Sequence, residues 1–303
     1  MRVAAVDCGT NSIRLLVTDL AGGEQHDLHR EMRVVRLGEG VDRTGSLAPQ
    51  AIARTRAALV DYAAVCHDLG VERIRMVATS ASRDADNAEE FRSMVRDVLG
   101  AEPEVITGDE EAQLSFTGAT RGLDPADGPF LVMDIGGGST ELVLGTDSVT
   151  AARSVDIGCV RLTERHLAGD PPTDAEVVAA VSDIDAGIEQ VRRAVPVEQA
   201  RTAVGLAGSV TTVAALSLGL SSYERDRIHL SRLTRAEVAK VTDDVLHMTR
   251  ADRAALPVMH PGRVDVIGAG ALILRTLVER LDLSDVLVSE ADILDGIAWS
   301  MSV

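Results

Sequence analysis

The segment VAAVDCGTNSIRLLVTDL, residues 3–20, carries the pattern from which the fold is predicted. An apolar strand runs into Asp7, four small or polar residues at 9–12 turn the chain, and a second apolar strand follows. Two residues are enough to connect an ordinary hairpin. The longer turn and the carboxylate at its entrance therefore need a separate explanation.

A second segment, FLVMDIGGGSTELVLGTDS at 130–148, repeats this order of features. Further strands and helices follow each copy in the same sequence, which predicts two copies of one βββαβα unit facing each other across a cleft. A shift of 127 positions superposes four identities at and around the turn: Asp7 on Asp134, Gly9 on Gly136, Ser12 on Ser139 and Leu15 on Leu142.

The periodicity of apolar residues and the residue types typical of helix ends predict the strands and helices. The composition break GLDPADGP near residue 122 predicts domains at 1–122 and 123–303, with the C-terminal helix 290–303 as a candidate to pack on the first domain. The predicted strands are 3–7, 13–19, 31–37, 73–79, 104–107, 130–135, 140–146, 150–155, 202–206 and 285–288. The predicted helices are 49–69, 87–99, one from about 108, 174–195, 235–249, 263–281 and 290–301.

Composition excludes several classes of protein. The chain has 303 residues, which suits two domains, and a net charge of −17, which opposes non-specific binding to nucleic acid or to an anionic membrane. Apolar stretches such as VIGAGALIL are too short to span a bilayer, and no secretory signal is recognised at the N-terminus. Three widely spaced cysteines suit a reducing cytosol, so a cytoplasmic protein is expected.

The repeated turn predicts an anion site, because a glycine-rich turn leaves convergent backbone N–H groups that suit phosphate. Hydroxyl donors would come from Ser12, Ser139 and Thr140. Asp7 and Asp134 would repel phosphate directly, so they are expected to hold hydrated Mg²⁺ (or Mn²⁺) that the phosphate also touches. Hairpin turns with Asp or Ser caps are the alternative. A third turn, GLAGSVTT at 205–212, strengthens the phosphate interpretation.

Six motifs in order carry a family resemblance: DCGTNSIRLLV, ATSASRDADN, GDEEAQL, DIGGGSTELV, GCVRLTERHL and GLAGSVTT. The sequence resembles, over essentially its whole length, the exopolyphosphatase/guanosine pentaphosphate phosphohydrolase (Ppx/GppA) family. The resemblance implies two α/β domains of the ribonuclease H-like type found in actin, hexokinase and the heat-shock chaperone ATPases. It also implies a homodimer. The third turn then falls where the ATPases of this superfamily hold adenosine, and Gly208 and Ser209 are candidates to bind a phosphate or a base.

Two glutamates are the candidate catalytic residues, since hydrolysis of a phosphoanhydride needs a positioned water and a base. Glu141 follows the second turn, and the resemblance gives it a catalytic role, holding water or the metal. Glu110 fits a capping box that begins at Thr107. The resemblance makes Glu111, the second of the pair, the general base or water-orienting residue.

Arginines are the candidate cationic ligands. Arg83, in TSASRD, suits a bidentate phosphate contact, and the resemblance gives it that role, with Asn87 as a candidate to orient it. Arg14 aligns with Glu141 in the internal repeat and is either a ligand or a flanking residue of the sheet. Arg161 and Arg263 are weaker candidates to hold a longer anionic chain, with surface ion pairs as the alternative.

The complete predicted site contains two sets besides the catalytic glutamates. The phosphate-binding set is Gly9, Thr10, Asn11, Ser12, Arg83, Gly136, Gly137, Gly138, Ser139, Thr140, Gly208 and Ser209. The metal set is Asp7, Asp134 and Glu141.

The sequence departs from longer family members in two places. It lacks their additional C-terminal domain with metal-binding histidines, so short polyphosphate chains are the expected substrates. Family members often carry a basic residue before a final Glu-Gly in this segment, whereas this sequence reads SEADILDG, with Asp295 before Gly296, which puts a phosphate contact from the segment in doubt.

Four functions remain open on the sequence. The first is a metal-dependent exopolyphosphatase, and the second removes a phosphate from guanosine pentaphosphate (pppGpp). The third is a non-catalytic sensor of guanosine tetraphosphate (ppGpp), which the glutamates and Arg83 disfavour. The fourth is a sugar or acetate-type kinase, which would use an aspartate as base. The Glu111 and Glu141 pair favours water as the acceptor.

Overall fold

The computed structural model describes residues 1–83 and 85–302. Two compact units divide the chain: Met1–Gly118 together with the C-terminal segment from Ile293, and Ala119–Asp292. The boundary predicted at residue 122 lies a few residues further on. Within the described residues, no helix is both long and apolar enough to cross a membrane.

The elements up to residue 120 alternate between strands and helices. The strands are β1 (Arg2–Cys8), β2 (Ser12–Ala21), β3 (Glu24–Val34), β4 (Arg73–Ala78) and β5 (Glu104–Val105). The helices are α1 (Val41–Thr44), α2 (Pro49–Asp68), α3 (Ser80–Arg83), α4 (Ala88–Leu99) and α5 (Gly108–Thr120). Gly100 ends α4 in the left-handed conformation, φ 64°, which is a common helix C-cap.

The elements after residue 120 follow a similar order. The strands are β6 (Phe130–Ile135), β7 (Thr140–Gly145), β8 (Val149–Val155), β9 (Thr202–Leu206), β10 (Arg232–Thr234) and β11 (Asp285–Val288). The helices are α6 (Cys159–His166), α7 (Asp174–Ala194), α8 (Ala207–Ser217), α9 (Arg225–Ile228), α10 (Arg235–His247), α11 (Arg250–Ala254), α12 (Ile267–Arg280) and α13 (Ile293–Ser300).

The two sheets share one topology. The first has the order β3-β2-β1-β4-β5, and the second has β8-β7-β6-β9-β11 with β10 added at its edge. The pairing senses match as well: β1–β2 and β6–β7 are antiparallel, whereas β1–β4 and β6–β9 are parallel. The predicted internal repeat and the ribonuclease H-like α/β class are therefore confirmed.

The central strand of the first sheet is buried on both faces, which explains its unbroken apolar run. Ala4 and Val6 belong to a core with Leu59 and Tyr62 of α2, while Val3 and Ala5 face a core built with α13. The period-two alternation of β1 thus divides between two helical layers. All three cysteines are free and buried.

The last helix, α13, is tied to the first sheet by charge as well as by packing. Asp295, only 5% exposed, accepts from Arg30 at 2.6 Å and from Gln25 at 2.7 Å, both on β3. This ion pair assigns Asp295 to the architecture of the unit.

Several elements differ from the sequence prediction, among them the unpredicted helices α1, α3, α6, α9 and α11. β3 starts at Glu24 instead of 31, because EQHDLHRE forms a polar edge strand that lacks alternation. α8 and β10 were not predicted as elements. The first seven buried positions of α8 run consecutively from Ser209 to Ala215, so the helix has no amphipathic stripe to reveal it.

Gly296 provides a test of this packing. A Cβ at this position would lie 2.0 Å from the Leu114 carbonyl oxygen of α5, a contact with backbone that side-chain motion does not relieve. Gly296→Ala should therefore lower the free energy of unfolding by about 2 kcal/mol or more. Gly268→Ala is the control, since its Cβ would meet only Leu246 at 3.4 Å. Equal urea midpoints by circular dichroism for the two variants would contradict the packing described.

Candidate active site

The parallel strands of each unit have their carboxyl ends on the same side of the sheet, next to one another. In the first unit Cys8 pairs with Ala78, and Ala78 pairs with Val105. The first turn, the segment carrying Arg83 and the start of α5 therefore emerge side by side, as ligand-binding loops do in open α/β sheets. In the second unit the same edge carries the second turn, the start of α8 and the segment after β11.

The first turn is closed by a hydrogen bond from the Gly9 amide to the Ser12 carbonyl at 3.0 Å. The chain after β3 supports it from behind: the Gly38 amide donates to the Thr10 carbonyl at 2.8 Å, and the Arg36 amide donates to the Asn11 carbonyl at 2.8 Å. A Cβ on Gly38 would lie 2.3 Å from the Thr10 side chain, so glycine is required for this approach.

The second turn repeats the closing bond, from the Gly136 amide to the Ser139 carbonyl at 3.0 Å. Its carbonyls are held by the N-terminus of α6. The Gly136 carbonyl accepts from the Cys159 amide at 2.9 Å and the Gly137 carbonyl accepts from the Val160 amide at 2.9 Å.

Arg161 completes this support, because its Nε donates to the Gly138 carbonyl at 2.8 Å. A glycine lies behind this turn as well: a Cβ on Gly158 would meet the Gly137 carbonyl oxygen at 2.2 Å.

This support orients the turn. In a trans peptide unit the C=O and N–H bonds point in opposite directions. Because the carbonyls of Gly136, Gly137 and Gly138 all face α6, the amides of Gly137, Gly138 and Ser139 face away from it. Within residues 1–83 and 85–302 these three amides donate to no protein acceptor. Convergent amides of this kind form an anion-binding nest.

The two turns differ at one cross-strand pair. Asp7 lies opposite Arg14, whose Nη2 donates to Asp7 Oδ2 at 2.6 Å and whose Nε donates to it at 2.9 Å. At the equivalent positions of the second unit, Asp134 lies opposite Glu141. The first copy thus carries an ion pair, whereas the second carries two carboxylates.

The acidic pair of the second unit is almost fully buried. Asp134 is 7% exposed and Glu141 is 1% exposed, and Glu141 Oε1 accepts from the Ser154 hydroxyl at 2.6 Å. Ser154 is the cross-strand neighbour of Glu141 on β8 and was not identified from the sequence. Two carboxylates opposed on neighbouring strands repel each other. A cation would relieve this repulsion.

The donor set beside the second turn fits Mg²⁺. This ion takes oxygen ligands and is usually held by one or two carboxylates together with water and substrate phosphates, which Asp134 and Glu141 would match. Asp7 fits less well, since Arg14 already balances its charge. Among the described residues, no cluster of three or more His, Cys, Asp or Glu is placed to hold a metal.

Arg83 and Glu111 come together in the first unit. Arg83 Nη1 donates to the Ile106 carbonyl at 2.7 Å and lies 3.6 Å from Glu111 Oε2. Glu111 is 8% exposed and belongs to the first turn of α5, where the helix dipole and the guanidinium both favour a carboxylate.

The neighbouring Glu110 has a different environment from Glu111, as the capping argument predicts. Only one of the two hydrogen bonds of a capping box is formed, the one from the Glu110 amide to the Thr107 hydroxyl. The Glu110 amide donates to the Thr107 hydroxyl at 3.2 Å, while its carboxylate accepts from Arg75 at 3.1 Å. Glu110 is exposed and lies outside the Arg83–Glu111 contact.

Asn87 has a structural partner instead of the predicted one. Its amide group exchanges two hydrogen bonds with the backbone of Leu47: Oδ1 accepts from the Leu47 amide at 2.8 Å, and Nδ2 donates to the Leu47 carbonyl at 3.1 Å. Asn87 therefore anchors the chain before α2 and does not orient Arg83, which corrects the sequence interpretation.

Two hydroxyls of the predicted phosphate set also have other partners. The Thr140 hydroxyl donates to the Ile157 carbonyl at 2.6 Å, so its proton is already used. The Ser209 hydroxyl lies against Gly270 of α12 and hydrogen-bonds with the Cys159 thiol. A Cβ on Gly270 would lie 2.1 Å from the Ser209 hydroxyl oxygen. The hydroxyl of Ser209 is thereby directed to α12.

The third turn is the junction between β9 and α8. Ala207 adopts φ 67°, and the guanidinium of Arg263 covers Gly208, where a Cβ would lie 2.5 Å from Cζ. Arg263 Nη1 also donates to the Thr212 hydroxyl at 2.9 Å. Arg263 thus contacts the third turn directly, although it lies far from this turn in the sequence.

An aromatic ring accompanies the third turn. Tyr223 is 41% exposed, and its hydroxyl donates to Glu290 Oε1. Burial raises the pKa of Glu290, and desolvation of the Tyr223 hydroxyl together with the adjacent Glu290 charge raises the pKa of Tyr223 to about 12. The scarcity of aromatics in the sequence gave no indication of this arrangement.

A repeated α/β unit with an amide-lined turn beside paired carboxylates defines a class of phosphate-binding proteins. The chain matches the Ppx/GppA phosphatase family over residues 16–302 and belongs to that family. It is 55% identical to Exopolyphosphatase 2 of Mycobacterium tuberculosis, over 99% of this chain and 98% of that protein.

Two more distant comparisons agree with this membership. A crystal structure of an exopolyphosphatase-like protein superposes with a TM-score of 0.96 at 41% identity, covering 99% of this chain and 98% of that one. The guanosine-5'-triphosphate,3'-diphosphate pyrophosphatase of Aeromonas salmonicida is 29% identical over 98% of this chain and 59% of its own length.

Glu290 allows a test by pH. A carboxyl group whose pKa is raised by folding destabilises the folded state once the pH exceeds the pKa of the unfolded chain. Glu290→Gln should therefore leave stability unchanged at about pH 4 and increase it progressively toward pH 7, relative to the parent. Urea unfolding at several pH values measures this, with the exposed Glu189→Gln as control. A stability difference independent of pH would contradict the assignment.

Proposed function

We propose that this protein is an exopolyphosphatase, which hydrolyses the terminal phosphoanhydride of inorganic polyphosphate and releases orthophosphate. The observation that carries the proposal is the second turn, whose three outward amides lie beside the buried Asp134–Glu141 pair. Membership of the phosphatase family and the identity to the mycobacterial exopolyphosphatase support the same reaction.

The turn acts on the anion. The amides of Gly137, Gly138 and Ser139 donate to the oxygens of the bound phosphate. They are preorganised because the carbonyl of the same peptide unit, which belongs to the preceding residue in each case, is already held from α6. Donors fixed before the reaction stabilise developing charge without reorganisation at the transition state. The hydroxyl of Ser139 is a further candidate donor to the phosphate. The hydroxyl of Thr140 already donates to the Ile157 carbonyl.

Glu111 acts on the water. As a carboxylate at the start of α5, it accepts a proton from the attacking water or orients that water toward phosphorus. Arg83, 3.6 Å from Glu111, pairs with this carboxylate and offers its remaining N–H groups to phosphate oxygens.

The proposed metal is Mg²⁺, held by Asp134 and Glu141. When bound it would neutralise charge on the phosphate oxygens. Glu141 is kept in place for this role by the Ser154 hydroxyl.

Hydrolysis of guanosine pentaphosphate is the second candidate, and the third turn favours it. The exposed ring of Tyr223, the carboxylate of Glu290 and the guanidinium of Arg263 offer a stacking surface, an acceptor and a cation near one helix start. The Aeromonas relative carries the corresponding activity in its name. We also propose a homodimer, from the family resemblance, and a cytoplasmic location, from the three widely spaced cysteines.

The substrate is tested directly with purified protein and Mg²⁺. Phosphate release is measured with polyphosphates of several lengths, guanosine pentaphosphate and ATP. We expect release from polyphosphate, with kcat/KM highest for short chains. Preferred turnover of guanosine pentaphosphate would select the second candidate. Binding of guanosine tetraphosphate without any phosphate release would indicate a sensor and refute the hydrolase.

The glutamates are tested by isosteric substitution. Glu111→Gln and Glu141→Gln should each lower kcat by about two orders of magnitude or more, because each amide loses the charge that acts on water or metal. Glu110→Gln is the matched control and should keep parent activity, since its carboxylate pairs with Arg75. Folding of all three is compared by Tm. Full activity in either of the first two variants would remove that residue from the mechanism.

A further inference from the structure

The second turn relies on a side chain where the first turn relies on the backbone. The Asn11 carbonyl of the first turn accepts from the backbone amides of Val35 and Arg36, at 3.1 and 2.8 Å. The equivalent carbonyl of the second turn, on Gly138, accepts from Arg161 Nε at 2.8 Å. A substitution can therefore remove the support of a peptide unit in the second turn.

The position of Arg161 suits this role. It is the third residue of α6, its own amide donates to the Gly137 carbonyl at 3.2 Å, and its side chain is only 13% exposed. The guanidinium has little freedom to leave the turn, since α6 fixes its backbone. Its Nε–H defines the direction of the Gly138 carbonyl, and therefore the opposite direction of the Ser139 N–H.

We infer that Arg161 is a positioning residue that aims the Ser139 amide at the bound phosphate. The inference rests on the proposed function for its substrate, but the alignment itself concerns any phosphate anion held by the turn. It differs from the role predicted from the sequence, which was direct contact with a longer anionic chain. Arg161 donates to the side of the turn that faces α6, opposite to the three outward amides.

Substitution of Arg161 should weaken anion binding and turnover without unfolding the unit. In Arg161→Met the 138–139 peptide loses its support, and kcat/KM for the polyphosphate substrate should fall about 10- to 100-fold, less than for outright removal of an oriented donor, because the amide is misdirected but still present. KM should rise, because the amide contacts the phosphate before as well as during the reaction. A role limited to stability would lower Tm and the active fraction while KM stayed constant.

Arg165→Met is the matched control. Arg165 lies one helical turn further along α6 and pairs with Asp183 at 3.2 Å, away from the second turn. It should retain the parent KM. Arg161→Lys should recover part of the loss, because an ammonium group offers a donor without the fixed fork geometry. Methylguanidine added to Arg161→Ala, where the truncated side chain leaves room for it, should restore activity, and should have no effect on Arg165→Ala.

A binding measurement separates this inference from the proposed function. Tripolyphosphate is titrated by calorimetry into protein carrying Glu111→Gln, with and without Arg161→Met; about tenfold weaker binding with the second change is expected. Parent-like KM and affinity in Arg161→Met would overturn the positioning role and leave the hydrolase intact. Weaker binding in a protein that hydrolyses nothing would uphold the role and refute the hydrolase. Absence of tripolyphosphate binding to either protein would overturn the inference.

Discussion

The geometry of the candidate site depends on the planarity of the peptide unit. Once the carbonyls of Gly136, Gly137 and Gly138 are held from one side, the amides that follow them must face the other side. The chain after the third strand supplies this support in both units, and Gly38 and Gly158 let it approach closely. The outward direction of the amides in the second turn is therefore set by the segment behind it, and not by the turn residues alone.

The two copies of the unit share their backbone structure but differ in the charges beside the turn. The turn, its closing hydrogen bond and the sheet order recur in both copies, but the cross-strand pair is Asp7–Arg14 in one and Asp134–Glu141 in the other. Opposite charges on neighbouring strands attract each other, whereas two carboxylates opposed on neighbouring strands repel each other. One residue of the pair, Arg14 or Glu141, thus sets whether the cross-strand pair beside the turn is an ion pair or two carboxylates.

Sheet topology explains how residues far apart in the chain share a site. Because β1, β4 and β5 run parallel, the segments that leave their carboxyl ends meet at one edge, which brings Arg83 within 3.6 Å of Glu111. The same rule brings Gly208 and Glu290, which follow the parallel strands β9 and β11, to the corresponding end of the second sheet, where Arg263 contacts Gly208. Neither grouping follows from local sequence spacing.

The sequence by itself determined the α/β class, the internal repeat and the two turns, since strand alternation, helical periodicity and glycine clusters are local signals of backbone conformation. The polar strand β3 and the fully buried helix α8 escaped prediction because they lack those signals.

Only the tertiary structure decided which polar groups face a ligand. A hydroxyl, amide or guanidinium can donate in many directions, and its partner is set by what packs beside it. Packing directs Thr140 to Ile157, Asn87 to Leu47 and Arg161 to the turn from behind.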